Sequence, residues 1–186
     1  MISTREKIMI AAVSAVIFFA AGPAWPGGTG DAAVVFELKS PAFENNGVIP
    51  KTYSCEGRDV SPQLQWSGVP QGTKSFAIIC DDPDAPVGTW VHWVIYNIPE
   101  VSRGLPEGVS GLEVLEDGSR QGITDFRRTG YGGPCPPPGK PHRYFFKLYA
   151  LDIVLDLEGK IAKDALLDAM EGHILAEATL IGTYKR

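Results

Sequence analysis

Cysteine and histidine are both scarce in this chain, three of each among 186 residues, and their arrangement narrows the chemistry. No C-x-x-C pair occurs, so neither a zinc ribbon nor a thioredoxin-like redox motif is supported. The H-E-x-x-H helix and the G-x-S-x-G elbow are also missing, which removes the sequence signatures of common hydrolases. Positive charge is not in excess: 17 Lys and Arg against 22 Asp and Glu leave a net charge of −5. Such a surface repels phosphate backbones and argues against general nucleic-acid binding, while leaving room for a local cationic pocket. The apolar run Ile8–Ala21 falls short of the about 20 residues that cross a bilayer comfortably. Neither an internal repeat nor a low-complexity block interrupts the chain.

That run belongs instead to a leader. Arg5 and Lys7 give it a basic start, and Ala20-Ala21-Gly22-Pro23-Ala24 supplies small residues for cleavage. Residues 1–24 are therefore read as a signal peptide, with an uncleaved membrane anchor as the rival. The Gly-rich stretch 25–33 is read as a flexible mature N-terminus, and 34–186 as one domain. The absence of a cysteine after the apolar run argues against a lipoprotein signal. The expected location is periplasmic or secreted, with no stable membrane span after cleavage. An exported chain with three cysteines suggests one disulfide and one spare thiol. Cys80 ends the apolar strand Ser75–Cys80 and reads as a buried, inert thiol. Cys55 and Cys135 lie in irregular Gly/Pro-containing stretches and form the candidate pair. Their bond would close a loop of about 80 residues, a contribution of roughly 4 kcal/mol in the chain-entropy model.

Strand patterns dominate the rest. Val34–Ser40 alternates, with Phe36 and Leu38 on one face and Glu37 and Lys39 on the other. Ala42–Pro70 is irregular, broken by Asn46-Gly47, Pro50, Gly57, Pro62 and Gly68, with a brief strand at Leu64-Gln65-Trp66. Trp90–Ile98 is a strand, Gly104–Gly122 a long loop, and Asp125–Gly139 a second irregular stretch. Tyr144–Leu151, nearly all apolar, suits a central strand covered on both faces. A helix is expected over Lys160–Glu171, with Ile161, Ala165, Leu166, Ala169 and Met170 on its apolar face and Gly172 ending it. Thr179–Tyr184 reads as a last short strand. Many short strands and one late helix point to a mainly β sandwich and away from a βαβ sheet.

The chain is organised around Asp81–Asn97. Asp81, Asp82 and Asp84 arrive at the mouth of an apolar strand, pinned by Pro83 and Pro86, and His92 follows between Val91 and Trp93. Read alone, this stretch favours a hairpin whose aspartates cap the turn; a polar site over an apolar floor is the sharper alternative. A second stretch, Gly132 to Tyr144, is dense in proline and delivers His142, Arg143 and Tyr144 to the start of the strongest strand. Its rival reading is a rigid connector with solvated His142 and Arg143. Arg127-Arg128 reads as a solvated pair, and His173 as a helix-end residue near the last carbonyls.

Asp82-Pro83-Asp84-Ala85-Pro86, Trp90-Val91-His92-Trp93, Gly133-Pro134 and His142-Arg143-Tyr144 resemble the phosphatidylethanolamine-binding protein (PEBP) family, in its bacterial Raf-kinase-inhibitor-like (YbhB/YbcL-type) branch. Ser61-Pro62, Trp66 to Pro70 and Gly172 to Ala176 are similar to that branch too, so the resemblance runs from Phe36 to the C-terminus. It implies a Greek-key antiparallel β-sandwich with one C-terminal α-helix, short peripheral helices and a small anion pocket at one end. Asp82, His92 and His142 match the motif's acid and two histidines. Gly133, Pro134 and Tyr144 are expected to help bind the anion, with Asp84, Ala85, Pro86 and Trp90 at the rim or holding the turn. Donors would come from an imidazolium at His92 or His142, the Gly133 N–H and the Tyr144 hydroxyl.

The resulting expectation is a non-enzymatic binding protein for a small anionic or phosphorylated ligand, modulating a protein partner, as monomer or homodimer. No cofactor, catalytic residue or metal ligand is assigned. An inhibitor of an extracytoplasmic protease or other hydrolase, acting through Gly104–Gly122, is one alternative. A metal-dependent hydrolase using the His/Asp cluster is another, since imidazole and carboxylate suit zinc.

Overall fold

An eight-residue strand buried at every position, Ser75–Asp82, occupies the middle of the larger of two sheets. In this computed structural model residues 35–186 are described; the stretches read as leader and mature N-terminus lie outside the described residues. In chain order the strands are β1 (Glu37–Lys39), β2 (Gly47–Val48), β3 (Leu64–Ser67), β4 (Ser75–Asp82), β5 (Trp90–Pro99), β6 (Gly104–Leu105), β7 (Arg120–Gln121), β8 (His142–Leu151) and β9 (Ile174–Tyr184). A 3-10 turn at Lys51–Tyr53 precedes β3, and the helix α1 (Lys163–Met170) lies between β8 and β9.

The larger sheet runs β2-β9-β8-β4-β5-β7 and the smaller β1-β3-β6. Pairings among the described strands are antiparallel except that β2 joins β9 in parallel. Phe76, Ile78 and Cys80 of β4 face the smaller sheet and pack with Leu38, Leu64 and Trp66. Ala77 and Ile79 face the other way, into a layer made by Leu155, Leu166 and Met170. Both faces of β4 are thus dry, which explains its unbroken apolar run. Each fully buried large side chain here contributes about 1.5–3 kcal/mol of transfer free energy.

The helix start, the last strand and the 104–122 stretch depart most from expectation. The helix begins at Lys163, three residues later than its sequence pattern, because the carbonyl of Ile161 accepts the Ile123 N–H at 2.8 Å and Ala162 is extended. Leu166 and Met170 alone are its buried residues, and Ala165 is exposed. The last strand starts at Ile174 instead of Thr179, since pairing with β8 continues through Tyr149–Glu177 and Ala150–Ala176 to Leu151–Ile174. His173 sends its N–H to the Met170 carbonyl at 3.0 Å, while its ring meets Asp152 at 2.8 Å. Gly104–Gly122 is no bare loop, for it carries β6 and β7. Its order comes from Gln121, which accepts the Trp93 indole N–H at 2.7 Å and donates to the carbonyls of Ser110 and Leu112.

Candidate functional site

β4 ends and β8 begins at one end of the larger sheet, and that coincidence assembles the site. The Asp82 carboxylate receives the His142 Nδ1–H at 2.8 Å through Oδ2 and the Asp84 backbone N–H at 2.8 Å through Oδ1. Both side chains are buried, Asp82 at 3% exposure and His142 at 8%. Two donors on separate oxygens fix the carboxylate, and the carboxylate fixes the imidazole, leaving Nε2 as the ring nitrogen without a partner among the described residues.

His92 is held differently. Its Nδ1–H donates to the Gly132 carbonyl at 2.6 Å, and the Gly132 N–H returns to the His92 carbonyl at 2.9 Å. Burial pushes the His92 pKa below its ordinary 6.5, with the Gly132 carbonyl and the Asp82 charge opposing more weakly. The ring is therefore neutral at pH 7, and the charge expected of an imidazolium cannot come from it. A side chain at position 132 would meet the Phe126 ring at 2.5 Å, so glycine is required for this approach.

Tyr144 packs edge-on against His92, with centroids 5.1 Å apart and planes at 87°. Its hydroxyl is buried and has no hydrogen-bond partner among the described residues. Burial, and after it the Asp82 charge, drive the phenol's pKa far upward, so the group remains a neutral donor. Although Asp82 influences it, no hydrogen bond forms between the two.

These groups floor a cavity of about 310 Å³. The rest of its lining is apolar: Ala85, Pro86, Val87, Trp90, Phe126, Cys135, Pro136 and Pro137. Trp90 and Phe126 meet edge to face at 5.6 Å, and Phe126 meets His92 at 5.2 Å. No Lys or Arg lines it; the ionisable groups of ordinary pH are Asp82, His92 and His142.

Several motif residues serve the site from outside. Gly133 and Pro134 do not line the cavity. The Gly133 N–H donates to Asp59 Oδ1 at 2.7 Å, so this expected anion donor is already occupied. The Pro134 carbonyl accepts the Cys55 N–H at 3.1 Å. Asp84 turns away to Arg143, accepting its backbone N–H at 3.0 Å, Nε–H at 2.8 Å and an Nη2–H at 2.7 Å. The Arg143 hydrogen bonds, despite some desolvation, hold the Asp84 pKa down to about 2. Asp81 faces the opposite side of the sheet, 3.1 Å from Lys147 Nζ and 2.5 Å from Lys163 Nζ, and ties α1 to the sheet. Cys55 and Cys135 are joined as a disulfide, Cα atoms 5.4 Å apart, while Cys80 is free and buried. Arg128 reaches toward Asp59 at 3.5 Å and lies 5.8 Å over Phe126, outside the cavity lining.

Phe126, Val87, Pro136 and Pro137 escaped the sequence reading, as did Asp59 and Asp125, whose Oδ2 accepts the Val91 N–H at 2.6 Å. The one signal for Phe126 was a lone aromatic amid Asp, Arg and Gly. Among the described residues no group of three or more His, Cys, Asp or Glu is placed to hold a metal ion. No helix among them is long and apolar enough to cross a membrane.

With this geometry in hand, comparison places the chain. It belongs to the phosphatidylethanolamine-binding protein family, whose family model matches residues 39–185. A UPF0098 protein of Methanothermobacter thermautotrophicus is 58% identical over 149 residues, covering 80% of this chain and 98% of the relative. A UPF0098 protein of Aquifex aeolicus is 52% identical over 155 residues, covering 82% and 90%. Among solved structures, a putative PEBP homolog of Chlamydia trachomatis superposes with TM-score 0.76 at 42% identity, covering 82% of this chain and 99% of that one. E. coli YbcL, described as a member of the mammalian PEBP family, gives TM-score 0.75 at 35% identity, covering 81% and 98%.

Proposed function

We propose that this chain is an exported binding protein whose cavity takes a small phosphate-type anion, presented on an apolar body, and that it modulates a protein partner. The observation that carries the reading is the buried Tyr144 hydroxyl on the cavity lining, which has no hydrogen-bond partner among the described residues. Leaving such a group unpaired costs about 1–3 kcal/mol, which a ligand oxygen would recover. His142, oriented by Asp82 through Nδ1, offers Nε2 as a donor to the ligand, charge-assisted by the ligand's own negative charge. His92 is committed at Nδ1 and neutral, so its Nε2 accepts. That set, two donors and one acceptor, matches a phosphomonoester monoanion that still carries one P–OH. The aromatic and proline walls suit the remainder of the ligand better than water.

Export takes support from the Cys55–Cys135 bond, since such bonds persist in oxidising compartments. A protein partner takes support from the hairpin around Gln121, where Leu112 and Val114 stand exposed at 65% and 53%. Titration calorimetry with phosphoethanolamine and inorganic phosphate tests the central reading. The donor and acceptor set favours the monoanionic ligand, so affinity should fall as pH rises and the ligand loses its P–OH near pH of about 6. Constant affinity from acid to mildly alkaline pH sinks it.

A further inference from the structure

The wall formed by Pro136 and Pro137 is attached in an unusual way. Residues 134, 136, 137, 138 and 141 are prolines, so most of this segment has no N–H to donate. Up to Pro134 the chain is well anchored: Tyr131 Oη–H donates to the Tyr53 carbonyl at 3.0 Å, Gly133 N–H to Asp59, and Cys55 N–H to the Pro134 carbonyl. From His142 it is locked into β8. Between these points, Cys135 to Pro141 makes no backbone hydrogen bond to any described residue. Besides the packing of the buried Pro136, its ties are the disulfide to Cys55 and a contact of Arg186 Nη1 with Cys135 Sγ at 3.8 Å. Cys135 itself lines the cavity, and both cysteines are exposed.

We infer that the Cys55–Cys135 disulfide is an exchangeable clamp on the cavity, so that small thiols reaching it loosen the Pro136–Pro137 wall and weaken ligand binding. The affinity part rests on the anion-binding reading above; the clamp itself does not. Exposed disulfides are the ones open to exchange. A low-molecular-weight thiolate attacks Cys55 Sγ, forming a mixed disulfide there while the Cys55–Cys135 bond breaks and Cys135 leaves as thiolate. Arg186, already against that sulfur, favours Cys135 as the leaving group. A second thiolate of the same kind attacks the mixed disulfide, releasing Cys55 as thiolate and the external disulfide. Two electrons pass from two external thiols to the protein bond. The wall is then free to move, and a cavity that is no longer preorganised binds less tightly.

The test compares the oxidised protein, the dithiothreitol-reduced protein and the double variant Cys55→Ser, Cys135→Ser. Two readouts are taken on each: calorimetric affinity for phosphoethanolamine, and histidine-ring NMR signals without ligand. His173 lies away from the cavity and serves as internal control. Expected is an affinity about ten-fold weaker after opening, with His92 and His142 signals shifted or broadened and His173 unchanged. Unaltered His92 and His142 signals overturn the clamp. So does global unfolding on reduction, which would make the bond a general staple. Shifted rings with unchanged affinity overturn its effect on binding. If the oxidised protein does not bind phosphoethanolamine, the anion reading fails and the ring signals still decide the clamp. Arg186→Gln should slow reduction several-fold; an equal rate removes Arg186 from the exchange step.

Discussion

Asp82 and His142 touch at 2.8 Å across 60 residues of sequence, one closing β4 and the other opening β8. Their contact ties the turn before β5 to the proline-rich segment before β8, and it sets which imidazole nitrogen faces the cavity. Replacing His142 by Gln keeps much of the shape and removes the imidazole that Asp82 orients toward the cavity. Calorimetry should then give affinity for phosphoethanolamine reduced about ten-fold.

Tyr144→Phe separates binding from stability. The lost hydroxyl has no partner among the described residues, so urea unfolding should report stability unchanged or raised by about 1 kcal/mol. Phosphate-group affinity should nevertheless fall. A large loss of stability would mean that the hydroxyl is satisfied within the folded protein.

His92 makes the fold sensitive to mild acid. Its folded pKa lies below the unfolded 6.5, so the unfolded chain takes up the proton more readily as pH falls through that range. Stability therefore declines on acidification and is recovered above it. His92→Gln, which cannot titrate, should show a flatter profile of urea midpoint between about pH 7 and pH 5 than the parent protein.

Asp84 acts in the opposite pH direction and lower on the scale. Its folded pKa of about 2 lies under the ordinary 3.8, so its contribution is present above 3.8 and disappears as pH falls through about 2. Arg143 is more than half exposed, which keeps that contribution small. Asp84→Asn should lower the urea midpoint slightly at neutral pH, and the two proteins should converge in strong acid.

Gly133→Ala tests the back of the wall. A Cβ there would stand 2.3 Å from the Tyr53 carbonyl oxygen and 2.6 Å from Asp59 Oδ1, and neither can yield freely. Crowding of this kind costs about 1–3 kcal/mol, measurable as a lower urea midpoint. Equal stability would show that the 51–59 segment shifts without cost.

The legible parts of the molecule were those with an unbroken apolar run. Phe76–Cys80 and Tyr144–Leu151 announce buried strands because both of their faces are covered. Ile174 and Leu175 announced nothing, being exposed residues that are in a strand only because β8 runs alongside. At the site, Asp82, His92 and His142 stood out by residue type. Alternation along β4 sets Asp82 on the face of Phe76, Ile78 and Cys80 and Asp81 on the other, but the sequence could not tell that His92 is the extra residue of a register shift in β5. Nor could it tell that the glycine of Gly133-Pro134 is there for space instead of for its donor. Phe126 lies in a turn with no repeating pattern, where only the tertiary fold assigns a neighbour.

The position of β4 also constrains how the molecule can be made. One of its neighbours, β5, follows at once, but the other, β8, arrives only at residue 142. A nascent chain, or one truncated before that point, would hold Asp82 without His142 and would leave a greasy central strand with a naked edge. Pairings so distant in sequence form slowly. The cavity end is thus among the last parts to exist during synthesis, and a premature stop would yield an aggregating fragment in place of a merely less stable protein.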